Sequence, residues 1–298
     1  AASEVYAQVE TDIEEALRLM PASSKLLHKA SPAAINMLRT EYYLWKAKRL
    51  GGGNAALSTA QSSVDAVLKA GYALLPTFAD IFNLNNEANS ELIWTLPYIV
   101  NENVTPGTSP NFFAYYLAPN GDRTRLREAG YTEDEVPAGS HAQYVVPTQA
   151  YCDFLAEDAR DTRTDVSVRV FEDKFLTEEV QIKRMVVKFI GSFANDTRSF
   201  DSDVPVYRLA EAYLLKAEVE NALGNTDAAL QNLNVVAKRA YGVDNYYTAR
   251  TQDAIDNAII SEILKEFVAE SKAWWAYLRF NKEFELIETL KGREGEKN

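Results

Sequence analysis

Cysteine, histidine and long apolar runs are scarce in this chain of 298 residues, and each scarcity removes a class of function. Cys152 is the single cysteine, which excludes an intrachain disulfide and a cysteine-based zinc site. His28 and His141 are the only histidines and lie far apart in the sequence, which argues against a histidine metal site or a catalytic triad. No apolar run approaches the ~20 residues that a membrane-spanning helix requires.

Positive charge is also in short supply, because 31 Lys and Arg residues stand against 43 Asp and Glu residues, a formal net charge of −12. An acidic surface repels nucleic-acid phosphates and anionic lipid headgroups. The composition therefore argues against nucleic acid as a partner and against a basic membrane-binding patch. Hydrophobic residues make up 47% of the chain, the level of a globular protein with a sizeable core.

Both ends of the sequence place apolar residues three and four positions apart, the spacing of amphipathic helices. This pattern predicts six helices, over residues 5–20, 32–50, 54–69, 209–223, 230–240 and 255–280. Ser31 is predicted to cap the second helix, and the glycines 51–53 to end it. The last helix carries so broad an apolar stripe that we expect it to be buried almost all round. The aromatic residues on these stripes are predicted to pack in the core: Tyr42, Tyr43, Trp45, Tyr213, Trp274 and Trp275.

One pair of helices early in the chain recurs late in it. The residues that match between the two copies are Glu41, Leu44, Lys46 and Ala47 with Glu211, Leu214, Lys216 and Ala217, and Ala55-Ala56-Leu57 with Ala228-Ala229-Leu230. Helical pairs of this length are typical of tetratricopeptide-like repeats, in which one pair cannot bury its apolar face alone. We therefore expect a mostly α fold built from stacked helical pairs.

The middle of the chain lacks this helical period. Short strands are predicted over residues 92–96, 166–171 and 185–190, and a short helix over 148–155. We expect a single domain, 1–298, with helical repeats over about 1–75 and 204–285 and an irregular, loop-rich insert with short β-strands over about 76–203. A long irregular insert in a helical-repeat protein is often functional.

The insert contains an aromatic, asparagine-rich loop that is our candidate binding site. Its candidate residues are Tyr98, Asn101, Asn103, Phe112, Phe113, Tyr115 and Tyr116. Aromatic rings stack on the C–H faces of pyranose sugars, while amide and phenol groups hydrogen-bond with sugar hydroxyls. The loop therefore predicts a glycan-binding platform. A hydrophobic cluster that anchors the loop is the alternative interpretation.

Two acidic clusters of the insert are candidates for catalysis or metal binding. Asp158 and Asp161 alternate with Arg160 and Arg163, a pattern that fits a glycosidase carboxylate pair or a set of local ion pairs, and ion pairs are favoured. The acids of residues 195–203 do not have the spacing of a calcium-binding loop, so a capped turn is favoured there. No nucleophile elbow, phosphate-binding loop or zinc-protease motif occurs. We expect a protein that is not an enzyme and needs no metal or cofactor.

Four segments of the chain resemble the SusD/RagB family of nutrient-binding lipoproteins of Bacteroidetes. They are residues 5–21, 72–94, 203–218 and 266–280, and they occur in the order of the family. The most specific is DVPVYRLAEAYLLKAE at 203–218. The chain departs from the family at Ala273 and Ala276, where an Arg and an Asp are usual, so we expect an ion pair of that helix to be missing.

This resemblance implies a SusD-like α/α superhelix that binds oligo- or polysaccharide at the outer-membrane surface without catalysis. It implies delivery of the glycan to a TonB-dependent, SusC-like transporter. It also implies membrane attachment through an N-terminal lipid anchor that is not present in these residues, and we expect an N-terminal portion of the family to be missing here. Capture of peptide or protein nutrients is one alternative, and a repeat scaffold that binds peptide in its groove is another.

Overall fold

The computed structural model describes residues 2–21, 26–106, 113, 117, 123–139, 143–173 and 181–296. Its helices are α1 Ala2–Leu19, α2 Pro32–Arg49, α3 Gly53–Leu68, α4 Arg123–Glu128, α5 Gln149–Leu155, α6 Thr164–Ser167, α7 Leu209–Ala222, α8 Thr226–Tyr241, α9 Gln252–Glu266, α10 Ala273–Phe280 and α11 Glu283–Leu286. Its strands are β1 Leu92–Leu96, β2 Val168–Asp173, β3 Gln181–Val186, β4 Ser192–Ala194, β5 Thr197–Ser199 and β6 Val204–Arg208.

The chain divides into two compact units. The helical unit comprises Ala1–Leu74, Ser90–Thr95 and Pro205–Asn298, and the insert unit comprises Leu75–Asn89 and Leu96–Val204. The fold is mostly α with three small two-stranded sheets among the described residues, in agreement with the predicted fold class. None of the helices in the described ranges combines the length and the apolar composition of a membrane-spanning segment.

The helical unit is built on two helical pairs. α2 packs on α3, α7 packs on α8, and α3 joins the two pairs by packing on α7. The Ser31 hydroxyl accepts a hydrogen bond from the Ala34 amide at 3.2 Å, and Pro32 occupies a first-turn position that needs no donor, so α2 begins where the sequence predicts. Buried alanines such as Ala60 and Ala217 allow the helices to approach closely.

The predicted helix over 255–280 is wrong in one respect, because the structure breaks it into α9 and α10. Ala269 and Ser271 adopt left-handed backbone torsions between the two helices, with φ of 61° and 62°. This turn brings the Glu270 carboxylate to the Arg208 guanidinium, with Oε2 at 2.9 Å from Nε. The ion pair with a strand residue far away in the sequence therefore interrupts a pattern that is helical throughout.

The break also exposes two residues that were expected in the core. Trp274 is 47% exposed and Trp275 is 50% exposed, so the expectation that this segment is buried almost all round is wrong for both. The same helix carries Arg279, whose guanidinium pairs with the buried Glu218 carboxylate at 3.0 Å. α10 is thus held by an ion pair although Ala276 cannot supply one.

A buried ion cluster joins β6, α8 and α9 to the residue that precedes β1. Arg208 pairs with Glu91 at 3.2 Å and with Glu266 and Glu270. Arg239 contacts Glu91 at 2.7 Å and also pairs with Glu266. Each buried charge has a partner of opposite sign, the condition under which such groups are tolerated in a protein core.

The insert unit contains two antiparallel hairpins. β2 pairs with β3 from Val168 opposite Val186 to Asp173 opposite Gln181. The strand that was predicted over residues 185–190 therefore begins and ends earlier in the chain, as β3. β4 and β5 are joined at Asn195 and Asp196, which both have positive φ. The short helix predicted after Pro147 is present as α5.

Candidate functional site

The candidate loop of the insert unit begins with a tight turn over residues 97–104. The Asn103 side chain accepts a hydrogen bond from the Ile99 amide at 2.6 Å and donates one to the Pro97 carbonyl at 2.7 Å. Asn103 therefore shapes the turn with both ends of its amide. Asn101 lies at the exposed tip with φ of 68°, and its backbone amide donates to the Val104 carbonyl at 2.9 Å.

Tyr98 is the aromatic residue of this turn, and its side chain is half-buried. Its backbone amide donates to Asp203 Oδ1 at 3.0 Å, and the Asp203 amide in turn donates to Glu87 Oε1 at 2.9 Å. Two carboxylates therefore fix the backbone at the base of the turn. The half-buried Tyr98 ring and the exposed Asn101 amide are the groups that the described part of the loop offers to a ligand.

Phe113 is buried, and its ring stacks on Phe189 with centroids 4.5 Å apart. The Phe189 ring also contacts Phe82, edge to face at 5.5 Å. This placement favours the anchoring interpretation of the loop for Phe113. Phe112, Tyr115 and Tyr116 lie outside the described residues.

The acidic clusters of the insert unit are used in local contacts. Asp158 pairs with Arg160 at 2.6 Å, and Asp161 pairs with the fully buried Arg163 at 2.8 Å, as the ion-pair interpretation predicts. Asp201 accepts hydrogen bonds from the Ser192 amide and hydroxyl, both at 2.7 Å. Among the described residues, no group of acids, histidines and cysteines is arranged to hold a metal ion.

A cavity in the helical unit is a second candidate site, which the sequence reasoning missed. This aromatic cavity has a volume of about 370 Å³ and is lined by Tyr6, Val9, Leu38, Glu41, Tyr42, Trp45, Trp275 and Arg279. α1, α2 and α10 supply its walls. The Trp45 and Trp275 rings meet edge to face at 6.4 Å. Helical periodicity places both tryptophans on apolar stripes, but it carries no information about which stripes the packed helices of the described ranges cover.

The aromatic cavity has two charged lining residues. Glu41 Oε2 accepts a hydrogen bond from the Tyr207 hydroxyl at 2.6 Å, and burial together with that carboxylate raises the pKa of Tyr207 above its usual range. Arg279 donates to Glu218 from Nε and Nη2, each at 3.0 Å. Burial lowers the pKa of Arg279, but the nearby carboxylates outweigh it and hold the pKa above the ordinary value. The guanidinium therefore stays charged.

A third carboxylate lies close to these two residues. Glu211 shares a small internal void with Glu41 and Arg279, and its Oε1 pairs with Lys272 at 2.9 Å. Glu211 Oε2 has no hydrogen-bond partner among the described residues. Burial raises the pKa of Glu211 to about 7, against the opposing effect of Lys272. Burial therefore favours the protonated form of this carboxyl more than it is favoured in an exposed glutamate.

A further cavity, of about 420 Å³, lies beside α8 in the same unit. Two cationic residues line it, and each is paired with an acid of the lining. Lys238 contacts Asp244 at 2.7 Å, and Arg250 contacts Asp227 at 2.6 Å. Because these charges are already compensated at an exposed surface, the cavity gives no indication of a particular ligand.

Comparison with known proteins finds similarity to SusD-like proteins at the level of a family model and of single sequences. The model of the SusD family matches residues 172–298. SusD-like protein P25 of Formosa agariphila is 26% identical over 245 residues, which cover 74% of this chain and 46% of that protein. SusD-like protein P38 of the same organism is 24% identical, with coverage of 98% and 60%. The chain thus spans about half of the length of the curated relatives that it matches.

Solved structures show the same fold. A SusD superfamily protein from Bacteroides vulgatus superposes with a TM-score of 0.78 at 26% identity, over 94% of this chain and 64% of that one. Surface glycan-binding protein A from Bacteroides thetaiotaomicron, solved in complex with laminarihexaose, superposes with a TM-score of 0.70 at 20% identity, over 95% and 62%. At that identity, the second likeness concerns the fold alone.

Proposed function

We propose that this chain, whose residues 172–298 match the SusD family model, is a SusD/RagB protein that binds oligo- or polysaccharide at the surface of the outer membrane without cleaving it. The observation that carries this proposal is the match to SusD-like proteins in sequence and in fold. A protein of the same fold has been solved with laminarihexaose bound, and by analogy we propose a glycan as the ligand here.

The candidate loop supports the same ligand class. Tyr98 offers part of an aromatic ring, and Asn101 offers an exposed amide donor and acceptor. Sugars need both kinds of contact, since their C–H faces are apolar and their hydroxyls are not. Tyr115 and Tyr116 complete this proposed platform on the basis of the sequence.

The absence of catalysis is part of the proposal. Glycoside hydrolysis needs two carboxylates at either side of the scissile bond, ~5–10 Å apart and accessible to substrate. The acids that came closest to this pattern, Asp158 and Asp161, are held in ion pairs with arginines, and Asp161 is buried. The contacts of these two carboxylates support binding rather than turnover.

Delivery of the glycan to a TonB-dependent, SusC-like transporter is the role that we propose within the cell envelope. A lipid anchor outside the present residues would hold the protein at the outer-membrane surface. Family membership supports both statements. The acidic composition is consistent with a neutral glycan rather than a nucleic acid as the partner.

Affinity electrophoresis against a panel of neutral plant, host and microbial polysaccharides tests the function. We expect one or more of them to retard the protein. The double variant Tyr115→Ala, Tyr116→Ala is expected to weaken that binding by about 2 kcal/mol, the scale of a lost aromatic stacking contact. Tyr144→Ala is the matched control, because Tyr144 is an exposed tyrosine of the same unit outside the loop.

Two results would contradict the proposal. Retardation by no polysaccharide, together with binding of a peptide digest, would show that the cargo is peptide. Release of reducing ends from a bound polysaccharide would show that the protein is an enzyme. Unchanged affinity in the Tyr115 and Tyr116 variant would remove the loop from the binding site and leave the function itself intact.

A further inference from the structure

The aromatic cavity of the helical unit has the features of a ligand site separate from the loop. Trp275 is 50% exposed and Leu38 is 46% exposed, so its walls include large apolar side chains that solvent can reach. Exposed apolar side chains that line a cavity are a common feature of ligand-binding grooves, and Leu38 and Trp275 are the two that line this one. The volume of about 370 Å³ lies within the range of small-molecule sites.

Each of the two charged residues of the cavity has a side-chain atom that makes no hydrogen bond with the described residues. Glu41 accepts a hydrogen bond from Tyr207 through Oε2, and Oε1 has no hydrogen-bond partner among the described residues. Arg279 uses Nε and Nη2 for Glu218, and Nη1 donates to no residue in the described ranges. The lining of the aromatic cavity thus combines apolar rings with a carboxylate and a guanidinium that each keep one atom without a hydrogen bond in the described ranges.

This combination narrows the class of ligand. A purely apolar occupant would bury the spare groups of Glu41 and Arg279 without replacing their water, which is costly. An anion would meet the Glu41 carboxylate, and a cation would meet the Arg279 guanidinium. A neutral molecule with an apolar face and several hydroxyls avoids each of these penalties, and a pyranose ring is such a molecule.

We propose that the aromatic cavity binds a neutral pyranose residue of an oligosaccharide. The sugar ring stacks on Trp275, Glu41 accepts a hydrogen bond from one hydroxyl, and Arg279 donates one to another. The ligand class rests on the proposed function, whereas the site does not depend on the loop. The helical unit then holds a second sugar contact in addition to that of the insert unit.

The chain offers a matched pair of variants for the test. Trp274 and Trp275 are neighbours on α10 with similar exposure, and Trp275 lines the cavity whereas Trp274 does not. Calorimetric titration with neutral hexasaccharides of glucose, mannose, xylose and galactose identifies a probe for the whole chain. We expect Trp275→Ala to weaken binding of that probe on the order of tenfold, as loss of a stacking contact does, and Trp274→Ala to leave it unchanged.

A second variant separates binding from folding. Glu41→Gln keeps an oxygen for the Tyr207 hydroxyl but removes the charge, and we expect it to weaken the probe severalfold with little change in the thermal melting curve. Equal affinity in wild type, Trp275→Ala and Glu41→Gln would overturn the cavity proposal while the proposed function stands. Failure of the wild-type chain to bind any of the hexasaccharides would overturn both.

Discussion

Arg208→Met is the substitution that most directly tests the account of the buried ion cluster. Methionine is unbranched and replaces the aliphatic part of the arginine side chain, so the variant removes the guanidinium and its charge and keeps the apolar stem. Arg208 has a side chain only 1% exposed and pairs with three carboxylates, Glu91, Glu266 and Glu270. In the variant, Glu91 and Glu266 keep Arg239 as a partner, whereas Glu270 loses its contact with the Arg208 guanidinium.

The expected cost follows from what remains after the substitution. Removing one partner of a buried ion pair typically costs about 3–5 kcal/mol, because the other charge stays buried without compensation. The Arg208 guanidinium also lies over the Phe267 ring at 4.2 Å, and loss of that contact adds about 1 kcal/mol. We expect the free energy of unfolding of the helical unit to fall by about 4–6 kcal/mol at pH 7.

The effect should depend on pH in a defined direction. In the variant, Glu270 is buried without the Arg208 guanidinium, and we expect its folded-state pKa to rise above the unfolded-state value. Such a group contributes its stability below the unfolded pKa and loses it as the pH rises through the folded pKa. The difference between variant and wild type should therefore be smaller at pH 4.5 than at pH 7.

Urea unfolding followed by circular dichroism at both pH values measures the difference. Lys238→Met is the control, because Lys238 pairs with Asp244 at an exposed site, with side chains 61% and 74% exposed. We expect that control to change stability by less than about 1 kcal/mol. A loss below about 1 kcal/mol for Arg208→Met, or a loss that does not change with pH, would show that the buried ion cluster does not stabilise the helical unit in this way.

Three smaller predictions concern single positions. Burial raises the pKa of Glu211 to about 7, so the stability that its protonated form contributes is present at low pH and is lost as the pH rises through 7. We therefore expect the wild type to have a lower melting temperature at pH 8.5 than at pH 6. Glu211→Gln should reduce this difference. Gly191→Ala would place a Cβ 1.9 Å from the Ser199 carbonyl oxygen, whereas the Cβ of the control Gly130→Ala meets no atom within 4 Å. We expect the first variant to lose well above the ~1 kcal/mol of unfolding free energy that we expect for the control. Equal shifts of the melting temperature would contradict this. Ser31→Ala should cost about 1 kcal/mol in urea unfolding through loss of the α2 cap, and no change would show that the cap is dispensable.

Local signals in the sequence were sufficient for most of the helices. Ser31 and Pro32 mark the start of α2, and Thr148 caps α5 by accepting from the Tyr151 amide at 3.2 Å. Such signals act over three or four residues, which is the distance over which a helix forms its own hydrogen bonds. They could be read without knowledge of the rest of the chain.

The break after α9 and the aromatic cavity could not be predicted in that way. The turn at Glu270 depends on Arg208, 62 positions earlier, and periodicity carries no information about such a partner. Trp275 lies on an apolar stripe, but only the packed structure shows whether another helix covers the stripe. Glu41 became a candidate because Tyr207, 166 positions away, binds just one of its oxygens.

The candidate loop shows a further limit of composition. Asn103 was chosen as a sugar ligand because asparagine has a donor and an acceptor, and the turn uses both. Phe113 was chosen because it is aromatic, and burial against Phe189 uses its ring. Residue type indicates which contacts are chemically possible, whereas neighbours far along the chain decide which are still available.

The long sequence separation within the ion cluster has a consequence for biosynthesis. Glu91 is synthesised 117 residues before its partner Arg208 and 148 residues before its partner Arg239. At the ordinary pace of a ribosome, that delay is on the order of ten seconds. The ion cluster, and with it this part of the core, can therefore be completed only after residue 239 has been synthesised.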